Sequence, residues 1–180
     1  MKMPASFISD LDHRMTALLS FTLRRNSDFF GPDHGETKGL GDLYRASQEG
    51  AGTMLRALIE FLGVKSKEGI PPLLVPMTRH DVRLGLDALI GIPAITVAAI
   101  GPAKAARLAA LHDGISKRTS HAAFNKQVDG MNPADLEWAT EWVVSEIWNR
   151  CFAPDPIPIH RDIYALLKGG KWKGIPFVPS

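Results

Sequence analysis

The segment Asn132–Phe152, NPADLEWATEWVVSEIWNRCF, constrains the fold more than any other stretch of the chain. Asn132 is a helix cap. Pro133 suits the first helical position, where no backbone donor is needed, and Asp135 sets an acid against the positive end of the helix dipole. The residues that follow are apolar on most sides. Leu136, Ala139, Val143 and Ile147 form one stripe, while Trp138 with Trp142 and Val144 with Trp148 are pairs spaced four apart on others. A helix apolar all round sits either in the centre of a core or at an oligomer interface.

The rest of the chain also reads as helices, separated by proline and glycine. Ser9 with Asp12 is a cap and its third-position acid. Leu11, Met15, Leu18 and Leu19 then recur at helical spacing, predicting a helix to about Arg25. NSDFFGPDHGETKGLG is a loop rich in turn formers. A second helix is expected from near Leu40 to just before Gly63, its inner face made of Leu43, Met54, Leu55, Leu58, Ile59 and Leu62. Gly63 fits the position after the helix end. Gly50 and Gly52 each weaken its middle by about 1 kcal/mol relative to alanine, unless they serve a close contact or a kink.

The stretch 63–77 contains IPPLLVP. Its prolines remove backbone donors, which predicts an extended connector or edge segment. Thr78 with Asp81 opens another helix towards Ile90. GIPAITVAAIG fits either a short strand or a pair of buried helical turns. Pro102 starts the next helix, carrying Ala103, Ala106, Leu108, Ala110 and Leu111, with Gly114 as a break before a second piece ending near Phe124. FAPDPIPIH is a connector, Arg161–Lys168 a short helix and 169–180 a tail. The expectation is an all-α protein: a single helical-bundle domain over 1–180, with five to seven helices, proline-rich connectors and at most one short extended pair.

Composition narrows the setting. A chain of 180 residues has interior enough for one domain without covalent staples. Cys151 is the only cysteine, so no intramolecular disulfide forms. A reducing compartment follows, with Cys151 read as a small buried residue at the end of an apolar run. No apolar stretch approaches the roughly 20 residues of a bilayer span, and the N-terminus meets charge too early for a secretory signal. The expectation is a cytoplasmic protein with no membrane partner. No His or Cys pair has metal-ligand spacing, and there is no Walker loop, no GxGxxG and no GxSxG, so neither a metal nor a cofactor is predicted.

The net charge is +2, but it is unevenly spread. Lys104, Arg107, Lys117, Arg118 and Lys126 face one acid, Asp113, within 103–126, and 160–174 repeats the bias with Arg161, Lys168, Lys171 and Lys173 against Asp162. Such segments meet phosphates or are simply solvated helix faces. AAIGPAKAARLAAL resembles the helix-hairpin-helix motif of DNA repair and replication proteins. Ile100, Gly101, Pro102, Lys104 and Ala106 match the pattern, whereas Ala99 replaces the first hairpin glycine and Pro93 interrupts the preceding helix. The resemblance implies backbone N–H groups at a helix start that hold a phosphate, with Gly101, Lys104 and Arg107 as nucleic-acid contacts.

LHDGISKRTSHAAF, followed by NPADLEWATEWVVSEIW, resembles the core of HEPN domains, small all-α proteins of prokaryotic toxins, anti-phage systems and RNA-processing enzymes. LYRASQEGAGTMLRALIEFLG is similar to that family's first-half helix, so the resemblance covers about 40–152. It implies a homodimer that cuts RNA without metal through an arginine and a histidine with four to six residues between them. His121 takes the histidine's place, but Gly114, Ile115 and Ser116 stand where the arginine should be. Lys117 and Arg118 precede His121 by four and three residues, hence on its face of a helix. In this reading they hold a phosphate while His121 moves the proton of a ribose 2′-OH. Arg107 and His112 satisfy the literal spacing.

Three functions stay open at this point. One is a HEPN-like protein acting on or bound to RNA, as a ribonuclease or a catalytically degenerate relative. The second is a helix-hairpin-helix type DNA-binding module. The third is a non-enzymatic scaffold or assembly subunit that meets a second copy or another protein through the helix carrying Trp138, Trp142 and Trp148.

Overall fold

The computed structural model describes residues 9–11, 13–15, 17, 18, 21, 33, 36–78, 91–120 and 132–152. It is mainly helical, with one small sheet. The described residues between 9 and 21 are helical, Ser9 included, so the helix begins no later than the expected cap. Helix α1 spans Gly41–Phe61, the hairpin strands β1 and β2 span Val64–Lys67 and Leu73–Pro76, and α2 spans Val97–Ile100. Helix α3 covers Pro102–Ser120 and α4 covers Pro133–Ile147, the latter continuing as a π-helical turn over Trp148–Phe152. Apart from its cap Thr78, the helix predicted to run towards Ile90 lies outside the described residues, as do the segments beyond Phe152.

The elements fall into two compact units, Met1–Met54 with Thr140–Ser180, and Leu55–Ala139. In the first, Leu11, Met15, Leu18, Phe21, Tyr44 and Ala51 are buried, and Phe21 and Tyr44 stack in a tilted pair with ring centres 5.5 Å apart. Val143, Val144, Ile147, Trp148 and Cys151 are buried in the same unit. Leu43 is not part of this core: it is 48% exposed, because the inner face of α1 follows Tyr44, Ala51 and Leu55, one helical step away. Gly50 is exposed and has open space where a side chain would be, so no close contact requires it.

The second unit is built on the end of α1, the hairpin and α3. Gly63 closes α1 with φ 96°, donating its N–H to the Glu60 carbonyl at 2.9 Å. A Cβ there would collide with the Cβ of Ala94. Leu62 accepts from Ile95 N–H at 2.9 Å, so this turn also anchors the returning chain. The proline-rich stretch forms an antiparallel hairpin, pairing Val64 with Pro76, Ser66 with Leu74 and Lys67 with Leu73. Ile70 and Leu73 at its tip are solvent-exposed. Helix α3 packs across both strands and against α2, burying Ala105, Leu108, Ala109, Leu111 and Ile115. Ala103, Ala106 and Ala110 face outward instead. Gly114 does not break α3, which runs on to Ser120.

The ambiguous GIPAITVAAIG resolves as extended chain to Thr96, then the single turn α2. Thr96 caps it, accepting from Ala99 N–H at 3.2 Å. Asn132 caps α4 as expected, accepting from Ala134 N–H at 3.0 Å. The predicted stripe of Leu136, Ala139, Val143 and Ile147 is fully buried.

Candidate functional site

Helix α3 and its approach carry most of the residues that the sequence singles out. Gly101 joins α2 to α3 with φ 82° and ψ 151°, a conformation that glycine adopts without a steric penalty. Lys104 is exposed in the first turn of α3, where no acid intervenes; Pro102 has no N–H and the Ala105 N–H donates to the Gly101 carbonyl at 2.9 Å, which leaves those of Ala103 and Lys104 without an intrahelical acceptor. Arg107 points elsewhere. Its Nε and Nη2 lie 2.6 and 2.5 Å from Asp135 Oδ1, and its guanidinium carbon lies 4.2 Å from the centre of the Trp138 ring. Arg107 therefore ties α3 to the first turns of α4.

Lys117 is exposed and donates to Asp113 Oδ2 at 2.6 Å, one turn back. That hydrogen bond, with the attraction of the Asp113 carboxylate, holds its ammonium above the usual lysine range, and Glu68 adds a smaller pull. Arg118 belongs to the backbone of α3; its side chain and all of His121 lie outside the described residues. Arg107 and His112, which have the spacing of the HEPN motif, are not brought together. Five residues apart, they lie about 140° apart around the helix, and each is bound to different groups.

His112 is the residue that sequence reasoning undervalued. Its side chain is 4% exposed, on the apolar face of α3 between Leu108 and Ile115. An imidazole so placed needs partners for both nitrogens. Nδ1 lies 2.8 Å from Ser66 Oγ and 3.4 Å from Ser66 backbone N. Nε2 lies 3.2 Å from Glu60 Oε1, and Arg56 Nε donates to that same oxygen at 2.9 Å. Ser66 comes from β1, Glu60 and Arg56 from the last turns of α1, and His112 from the middle of α3, so a single imidazole links three elements. The His112 hydrogen bond is the main reason why the Glu60 carboxyl lies below the usual carboxylate range. Burial opposes it, and Arg56 adds to it through a hydrogen bond and its charge.

The direction of this chain follows from donor counting. The Ser66 backbone N–H only donates, so Nδ1 presents its lone pair and the ring proton sits on Nε2, facing the Glu60 carboxylate. The Ser66 hydroxyl then donates to Nδ1. No local motif announces the cluster, because Ser66 and Glu60 are separated from His112 by 46 and 52 residues. The one available signal is a histidine on the buried face of a helix.

The Cys151 thiol is pushed up to about 12, chiefly by burial, and is no nucleophile at neutral pH. Trp148 is buried, whereas Trp138 and Trp142 are half-buried. Among the described residues, no three His, Cys, Asp or Glu side chains converge to hold a metal ion, and no helix is long and apolar enough to cross a membrane. No protein-family model, no curated protein and no solved structure matches the chain.

Proposed function

We propose that this is a HEPN-like helical protein that binds or cleaves RNA through the C-terminal end of α3. The continuity of α3 carries the reading. The helix passes through Gly114 without a break, presents an exposed Lys117 and includes Arg118, and His121 lies just beyond the described residues. Lys117 and Arg118 would hold a phosphate, and His121 would take the 2′-OH proton. The Lys117 ammonium is solvent-exposed, so it can reach a phosphate by giving up its bond to the largely covered Asp113 carboxylate.

The purified chain, incubated with single-stranded RNA in EDTA, tests this. Cleavage lost in His121→Ala, together with binding that weakens and loses salt dependence in Lys117→Ala and Arg118→Ala, supports it. Absence of both cleavage and binding sinks it. A second reading rests on Gly101: a glycine turn into a long helix with an exposed Lys104 in its first turn is the backbone half of a phosphate contact on duplex DNA. Salt-dependent duplex binding that falls in Lys104→Glu, without any cleavage, selects that alternative.

A further inference from the structure

We propose that Ser66 is a nucleophile activated by His112 and Glu60, and that it reacts with small carboxylic esters. The geometry of the buried cluster carries the proposal, independently of any RNA site. Nucleophilic catalysis by serine needs a hydroxyl within reach of a base, and that base held in one tautomer by a third group. All three relations are present. Ser66 Oγ lies 2.8 Å from His112 Nδ1, and His112 Nε2 lies 3.2 Å from Glu60 Oε1. Arg56 then fixes the carboxylate at 2.9 Å. His112 itself is shielded, which keeps water from competing for Nδ1, while Ser66 is only half-buried, on a two-stranded sheet flanked by Lys65 and Lys67. An electrophile can therefore meet the hydroxyl without entering the core.

The chemistry closes on these residues and water. Ser66 Oγ bonds to the ester carbonyl carbon as its proton passes to Nδ1. The imidazolium so formed is stabilised by Glu60. Collapse of the tetrahedral adduct breaks the bond to the alcohol oxygen, which leaves with the Nδ1 proton. Water then attacks the acyl-serine and gives a proton to Nδ1. Release of the acid returns that proton to Ser66 Oγ. No oxidant, reductant or metal is required.

The full chain is treated with a fluorophosphonate probe and mapped by mass spectrometry, and p-nitrophenyl acetate hydrolysis is followed in parallel. The expected result is one adduct, on Ser66, absent in Ser66→Ala. In Glu60→Gln both the labelling rate and the ester turnover should fall by about a hundredfold or more, because the amide neither fixes the ring tautomer nor stabilises the imidazolium. Thermal melts of each variant separate loss of chemistry from loss of fold. Glu60→Gln is the informative substitution, since Glu60 is part-exposed and the amide keeps its size. His112→Gln should be at least as impaired. A parent protein that carries no adduct on Ser66 overturns the proposal. So does a folded Glu60→Gln that labels at the parental rate, which would leave His112 as a structural clamp only.

Discussion

Gly63 shows at a single residue how backbone and packing restrict the sequence together. Its φ of 96° is costly for any L-residue, and Ala94 fills the space that a side chain would take. Gly63→Ala should therefore lower stability by roughly 1–3 kcal/mol, read as a drop in melting temperature or denaturant midpoint. Glu60 gives a pH signature. Its carboxyl lies below its ordinary value of 4.5, so the stability that it contributes is complete above that pH and is lost as pH falls through the lower native value. The acid limb of the stability curve should be shallower in Glu60→Gln than in the parent, measured by thermal melts between about pH 2 and 6. Among single residues, Gly63 and Cys151 were legible because chain termination and apolar context are local. Leu43 was misplaced because a leucine one helical step from Tyr44 satisfies the same count of apolar residues. His112 was legible only as a spacing from Arg107, since its partners arrive from distant sequence.

Elements were read more securely than their partners. The caps at Asn132 and Gly63 and the prolines at 102 and 133 mark real ends, because each acts on backbone groups within a turn. Gly114 failed as a breaker because the packing of Leu111 and Ile115 on the hairpin outweighs the cost of one glycine, about 1 kcal/mol. The hairpin fits the one short extended pair that the sequence allows, but its register was not readable, since its prolines name absent donors and no partner. Arg107 belongs at this scale: the sequence offers it as a phosphate contact, and the fold spends it on joining α3 to α4. Arg107→Ala should cost roughly 1 kcal/mol, through a half-exposed ion pair and a cation–π contact. Asp135→Asn should recover part of that loss when the two are combined, a coupling that a double-mutant cycle reads directly. If Arg107 instead contacts nucleic acid, its removal lowers binding with little change in melting.

At the scale of the molecule, the helical class followed from repeated caps and periodicity, and only local rules were needed for it. Assembly was not readable in the same way. Of the three indoles on the α4 run, Trp148 is buried within its own chain, and Trp138 carries Arg107 on its face. A homodimer through this helix would thus use the accessible edges of Trp138 and Trp142. Sedimentation at tens of micromolar should show that dimer, and Trp142→Glu should return it to monomer with its far-UV spectrum intact. A parent that sediments as a monomer removes the interface.

The hairpin bears on self-association from the opposite direction. Among the described residues no third strand pairs with β1 or β2, and an unpaired strand edge is a template on which further strands grow into aggregates. Here β1 carries Lys65 and Lys67, β2 ends in Pro76, and the Ser66 N–H faces the ring of His112. Charge, a missing donor and an occupied donor each discourage an incoming strand. A variant lacking the imidazole frees the Ser66 N–H and so loses one of these guards against strand addition.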